Sequence, residues 1–192
     1  MRARWPLVAG GVAVVAVGGV LAVSLLGGSP RLLDEADFTG VESAQHGETA
    51  YPPGWTWCDL GVGRWFSEDA PVSSLTFGDH AWAAAAIVAR PGTWTAQEIL
   101  DDLETAADAC AESDQVDRGN SIEPLDGLAP GEVGWTTEAA DGERGAYALV
   151  PLDETRVLAV GYTTLDDDPP VDVHDLVERA KDGAAHFPDA EG

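Results

Sequence analysis

The chain has 192 residues, 45% of them hydrophobic, with 34 acids against 10 bases, a formal charge of −24. A field of that sign disfavours nucleic acid and anionic lipid surfaces as partners, and leaves cations, cationic peptides, neutral sugars and neutral lipids open. Seven Trp and a good supply of Val, Leu and Ile exclude the composition of a disordered tail.

Residues 7–26 read LVAGGVAVVAVGGVLAVSLL, without a charge. A helix of that length, at about 1.5 Å per residue, spans roughly the 30 Å of a bilayer's hydrocarbon core. Arg2 and Arg4 precede the run, Trp5 stands at its edge, and Arg31, Asp34, Glu35 and Asp37 follow it. The Arg excess on the N-terminal side directs residues 1–6 to the cytoplasm and the rest outside. A cleaved signal peptide is the competing reading, with Ala22-Val23-Ser24 as a weak site; the run is longer than a usual signal core, which favours an anchor. Either way the remainder is exported, and it carries all 34 acids but only 8 of the 10 bases. Nine of the ten bases are Arg. With the Ala, Gly and Asp richness, this suggests a GC-rich, actinomycete-type genome ahead of a high-salt organism.

Residues 27–54 are rich in Gly, Ser, Pro and acids without sustained periodicity, and read as a flexible acidic tether. A domain is expected over 55–188, with a tail at 189–192. Residues 55–60 alternate and predict a short extended segment. Residues 72–77 predict a strand. Residues 80–90 are ambiguous: their alanines favour helix, but the ending Ile87-Val88-Ala89-Arg90-Pro91-Gly92 favours a strand stopped by a turn, and strand is the choice. Thr95 and Glu98 form a capping box. Ile99, Leu103, Ala106 and Cys110 then mark one face of a helix over about 96–112, with Asp101, Asp102, Glu104 and Asp108 on its solvated flanks.

After a loop and a short strand at 121–125 come a strand at 132–139, a turn at Asp141-Gly142 and a strand at 144–152. The nearly all-apolar segment 155–164 follows, and is expected at the centre of the sheet. Asp172 caps a last helix with Val173, Leu176, Val177, Ala180 and Ala184 as its stripe. The expected class is α+β: an antiparallel meander with two amphipathic helices packed on it, preceded by one N-terminal transmembrane helix.

Cys58 and Cys110 are the two cysteines, with 51 residues between them. In an exported domain such a pair most often forms a disulfide, here stapling the first extended segment to the helix. The chain-entropy model gives a bridge closing that loop about 4 kcal/mol.

The order of elements from about Trp94 to His186 is a helix ending in Cys110, the Trp135 strand, the Tyr147 strand, the apolar Leu158-Ala159-Val160 strand and a terminal amphipathic helix. This resembles the extracytoplasmic sensor domains of actinomycete receptor serine/threonine kinases and related stand-alone cell-envelope proteins. The resemblance implies a cleft between sheet and helices that binds an envelope ligand. It supplies no catalytic residues, and those domains usually carry more than one disulfide.

No Gly-x-Ser-x-Gly elbow and no His pair at i, i+4 are present. Asp79-His80 and His174-Asp175 read as surface pairs. Asp166-Asp167-Asp168 lacks EF-hand spacing and reads as a solvated loop. No metal and no cofactor are expected. The exported tryptophans are the candidates for ligand contact, since exposed rings stack on sugars or line lipid pockets, although core packing is the default for any one of them. Trp55, Trp57, Trp82, Trp135 and Tyr147 are the candidate ligand-binding residues, with Trp55 and Trp57 the least core-like. The function expected is a membrane-anchored, extracytoplasmic ligand-binding or sensor-like domain of the cell envelope. A protein–protein interaction module and a carboxylate-dependent hydrolase are the alternatives.

Overall fold

The computed structural model describes residues 30–47, 56–57, 60–61, 70–89, 94–112 and 120–187. The apolar run 7–26 and the tail 189–192 lie outside them; among the described residues no helix is long and apolar enough to cross a membrane. The chain divides into Met1–Pro30 and Arg31–Gly192, and the fold is that of the second unit.

Among the described residues there are nine strands: β1 (Ser43–Gly47), β2 (Thr56–Trp57), β3 (Leu60–Gly61), β4 (Val72–Phe77), β5 (Ala81–Ala89), β6 (Ser121–Pro124), β7 (Val133–Glu138), β8 (Arg144–Pro151) and β9 (Arg156–Thr164). Helix α1 is Ala96–Ala111 and helix α2 is Val173–Ala184. Seven strands form one antiparallel sheet in the order β1-β4-β5-β9-β8-β7-β6. The segment 55–60, expected as one strand, contains β2 and leads into β3, and these two pair as a separate small hairpin.

β9 lies fourth of seven, in the centre, as its apolar run predicts. Successive residues of a strand point to opposite faces, and both faces here are covered. Val157 and Ala159 join Leu149, Ile99, Leu103 and Cys110 under α1. Leu158 and Val160 join Leu75, Ile87, Leu176 and Ala180 under α2. The two helices therefore sit on opposite faces, giving three layers. A strand sandwiched in this way has no solvent side to mark with polar residues. The same argument resolves β5: Ala83, Ala84, Ala85 and Ala86 are all buried between β4 and β9. The fit of small side chains on a two-sided sheet there overrides the helix preference of alanine.

The expectation of a flexible tether over 27–54 is corrected for residues 31–47. Leu32 and Leu33 are both 1% exposed and belong to the α2-side core. Burying a Leu contributes roughly 1.5–3 kcal/mol, enough to order a polar segment around the pair. Their backbone crosses α2 at Gly183, where a Cβ would fall 2.6 Å from the Arg31 carbonyl oxygen. A short 3-10 turn at Glu35–Asp37, capped by the Asp34 carboxylate on the Ala36 N–H, leads into β1. That strand then pairs along β4 as the edge of the sheet.

A candidate ligand-binding groove at the edge of the sheet

α1 begins where its sequence says it should. The Thr95 hydroxyl accepts from the Glu98 N–H at 3.2 Å, and the Glu98 carboxylate accepts from the Thr95 N–H at 2.7 Å. These bonds hold the Glu98 carboxyl below its usual range. The Ala96 N–H donates to the Glu154 carbonyl at 2.7 Å, tying the helix start to the β8–β9 turn. With the start set, spacing decides the faces. Leu100, Leu103 and Ala107 turn inward, and Asp101, Glu104, Thr105 and Asp108 form an exposed stripe on the outer flank.

That stripe is one wall of a groove of about 550 Å³. Trp135 of β7, Val133 and Gly134 line it from the sheet, and Pro124, Leu125, Leu128 and Glu132 line it from the end of β6 and the loop that follows. Gly127 and Gly131 have φ of +84° and +89° in that loop, backbone that favours glycine. A Cβ on Gly134 would fall 2.5 Å from the Tyr147 carbonyl oxygen and 2.8 Å from Leu128 Cδ1, so only glycine lets the loop close down on β7.

The walls differ in charge. Glu132 is tied down: one carboxylate oxygen accepts from Lys181 Nζ of α2 at 3.1 Å and the other from the Ala129 N–H at 3.0 Å. Lys181 also donates to Glu178 at 2.8 Å, and the bonds to Glu178 and Glu132 raise its pKa. Opposite, Asp101 accepts from the Gln97 amide at 2.7 Å. No cation among the described residues pairs with Asp101, Glu104 or Asp108: Arg31, Arg144, Arg156, Arg179 and Lys181 are all engaged with other acids. The groove thus has an aromatic and aliphatic floor and one uncompensated acidic wall.

Of the residues singled out by sequence, Trp135 lines this groove and is 7% exposed. Trp82 is half-buried on β5, on the same face of the sheet. Three strand spacings, roughly 14 Å, separate the two. Tyr147 is corrected from ligand contact to core. It is 1% exposed, its ring lies over Gly145 and Gly161, and its hydroxyl is 3.5 Å from Thr163 Oγ1. Trp55, the Trp57 side chain and Cys58 lie outside the described residues. Cys110 is 2% exposed on the inner face of α1 and is not a free thiol. Among the described residues no group of three His, Cys, Asp or Glu side chains can hold a metal ion.

Two features escaped sequence reasoning. The acids of α1 read as an ordinary solvated flank, although 101, 104 and 108 share one stripe. Ser73, His46 and Glu35 also come together: Ser73 Oγ is 3.0 Å from His46 Nδ1, and His46 Nε2 is 3.2 Å from Glu35 Oε2. The order resembles a nucleophile–base–acid chain, but Ser73 is 1% exposed and its oxygen already accepts the Leu32 N–H at 3.1 Å. No substrate carbonyl can reach that oxygen, so the arrangement works as a latch on the N-terminal segment.

No family model matches the chain, and no curated protein matches it. Among solved structures it is similar to the extracellular domain of PknH, a receptor serine/threonine kinase of Mycobacterium tuberculosis. Identity is 16% and the TM-score 0.43, over 81% of this chain and 94% of that one.

Proposed function

We propose that the protein is a membrane-anchored, extracytoplasmic ligand-binding or sensor-like domain of the cell envelope, held by residues 7–26 with its N-terminus cytoplasmic, and that the groove beside α1 is its ligand site. The groove carries this reading. It is within the roughly 300–1,000 Å³ typical of ligand pockets, and it combines an indole with aliphatic walls and a row of polar groups. The charge-free run, with two Arg before it and one Arg among acids after it, supports the anchor and its direction. A Cys58–Cys110 bridge belongs to the same reading, since an exported domain meets an oxidising compartment.

The full chain, expressed with a C-terminal reporter active only outside the membrane and then solubilised in detergent, tests it. The reporter is expected to be active and the protein to stay in the membrane fraction. Its mass is expected to show an uncleaved N-terminus and no alkylatable thiol before reduction. Screening with envelope glycans, neutral lipids and peptides is expected to give saturable binding that Thr105→Trp, which fills the groove without changing its charge, abolishes. Saturable binding untouched by that variant removes the groove from the proposal. A soluble protein of shorter mass replaces the anchor with a cleaved signal.

A further inference from the structure

We infer that the groove takes an extended cationic peptide segment in which basic and apolar side chains alternate; this rests on the groove being the ligand site. Asp101, Glu104 and Asp108 lie along one flank of α1, spread over about 10.5 Å at 1.5 Å per residue. An extended peptide covers that length in about three residues and repeats its side chains on one face every 6.6 Å or so. Basic residues at i and i+2 therefore match the roughly 6 Å rise from Glu104 to Asp108, and one at i−2 reaches toward Asp101. The intervening side chains turn the other way, toward Trp135, Leu125, Leu128 and Val133.

Among the described residues no cation is left to meet these acids, so the partner supplies the charge. Every described Lys and Arg is committed to another acid, and Lys181, which reaches the groove's Glu132, is spent on Glu132 and Glu178. A bare metal ion does not fit, because these carboxylates are spread along a helix and converge on no common point. A small polyamine would satisfy the acids and leave the aliphatic floor uncovered. An alternating peptide satisfies both. Charge complementarity of this kind also speeds encounter and makes it sensitive to salt.

The test uses the full chain in detergent and the acetylated, amidated peptide Lys-Leu-Lys-Leu-Lys, followed by tryptophan fluorescence. Saturable binding is expected, weakened about tenfold by the isosteric triple variant Asp101→Asn/Glu104→Gln/Asp108→Asn, a size set by three exposed ion pairs of modest strength. The triple variant Asp79→Asn/Asp166→Asn/Asp168→Asn removes the same charge from exposed sites elsewhere and is expected to bind within about twofold of the parent. Equal weakening by both triples, or by neither, overturns the inference. So does spermine competing as well as the peptide. If a neutral glycan or lipid binds, is blocked by Thr105→Trp and ignores the groove triple, the inference falls while the groove stands as the ligand site. If Thr105→Trp blocks nothing that binds, both fall.

Discussion

The Ser73 hydroxyl and the His46 imidazole, 3.0 Å apart, complete a directed chain of hydrogen bonds that joins the N-terminal segment to the sheet. The Glu35 carboxyl is held below its ordinary range, first by a bond from its own backbone N–H and then by His46 and Arg31. It is therefore a carboxylate and only accepts, which assigns the donor role to His46 Nε2–H. In the neutral ring Nδ1 is then an acceptor, and the Ser73 O–H donates to it. That leaves the Ser73 oxygen free to accept the Leu32 N–H. Each group in the chain is used once in a compatible sense.

Ser73→Ala leaves the buried Leu32 N–H, and the more exposed His46 Nδ1, without this partner. The expected loss is about 1–3 kcal/mol, the range for an unsatisfied buried polar group, together with faster hydrogen exchange at the Leu32 amide. His46→Ala is expected to be milder, because Ser73 still accepts from Leu32. Urea unfolding and amide exchange measure both. An unchanged exchange rate at Leu32 in Ser73→Ala would remove the latch from the account of this segment.

Tyr147 owes its place to two glycines. A Cβ on Gly161 would fall 2.6 Å from Tyr147 Cδ1 and 2.8 Å from the Ala146 carbonyl oxygen, and one on Gly145 would fall 2.7 Å from the Tyr147 hydroxyl. One of those neighbours is backbone and the ring is locked in the core, so the added methyl forces strain. Gly161→Ala is expected to destabilise by about 1–3 kcal/mol, the scale of overpacking. Gly47→Ala on the edge strand, where a Cβ meets nothing within 4 Å, is expected to be neutral. Comparison of the two urea midpoints decides; equal midpoints would sink the explanation.

The Asp153 carboxyl closes the β8–β9 turn and titrates at about 2 instead of 3.8. Partial burial pushes it upward, but bonds from the Thr155 N–H, the Arg156 guanidinium, the Arg156 N–H and the Thr155 hydroxyl outweigh that. Arg156 is itself buried and lies 2.5 Å from Asp153. A carboxyl whose pKa is depressed on folding stabilises the fold above its unfolded value and loses that contribution as pH falls toward the folded value. Because the side chain is 32% exposed, solvent screening trims the effect, and about 1–2 kcal/mol is expected. Asp153→Asn should therefore unfold more easily than the parent at pH 7, with the gap closing between roughly pH 4 and pH 2. Thermal melts across that range check it, and a gap that stays constant with pH would contradict the assignment.

The elements that were legible in the sequence are those written in short-range patterns. β4 was expected at 72–77 and is Val72–Phe77; the Thr95–Glu98 box starts α1; Gly142, with φ of +92°, turns β7 into β8. Each rests on contacts between residues a few positions apart, so local residue types suffice. The segment 31–47 misled because its composition is that of a linker, and the adjacent Leu32 and Leu33 were the one signal against it.

By itself, then, the sequence determined the charge, the order and kind of the elements from β4 onward, and the central place of β9, because alternation, capping and an apolar run act within one element. Only the tertiary structure decided that Val157 and Leu158 serve different cores, that Tyr147 is core while Trp135 borders a groove, and that Asp101, Glu104 and Asp108 face that groove with no cation among the described residues paired to them. Those outcomes depend on which distant segments meet: α1 with the 125–134 loop, Lys181 with Glu132, Leu32 with Ser73. Such pairings are set by sheet register and by the side of the sheet each helix covers, and no spacing within one element carries that information.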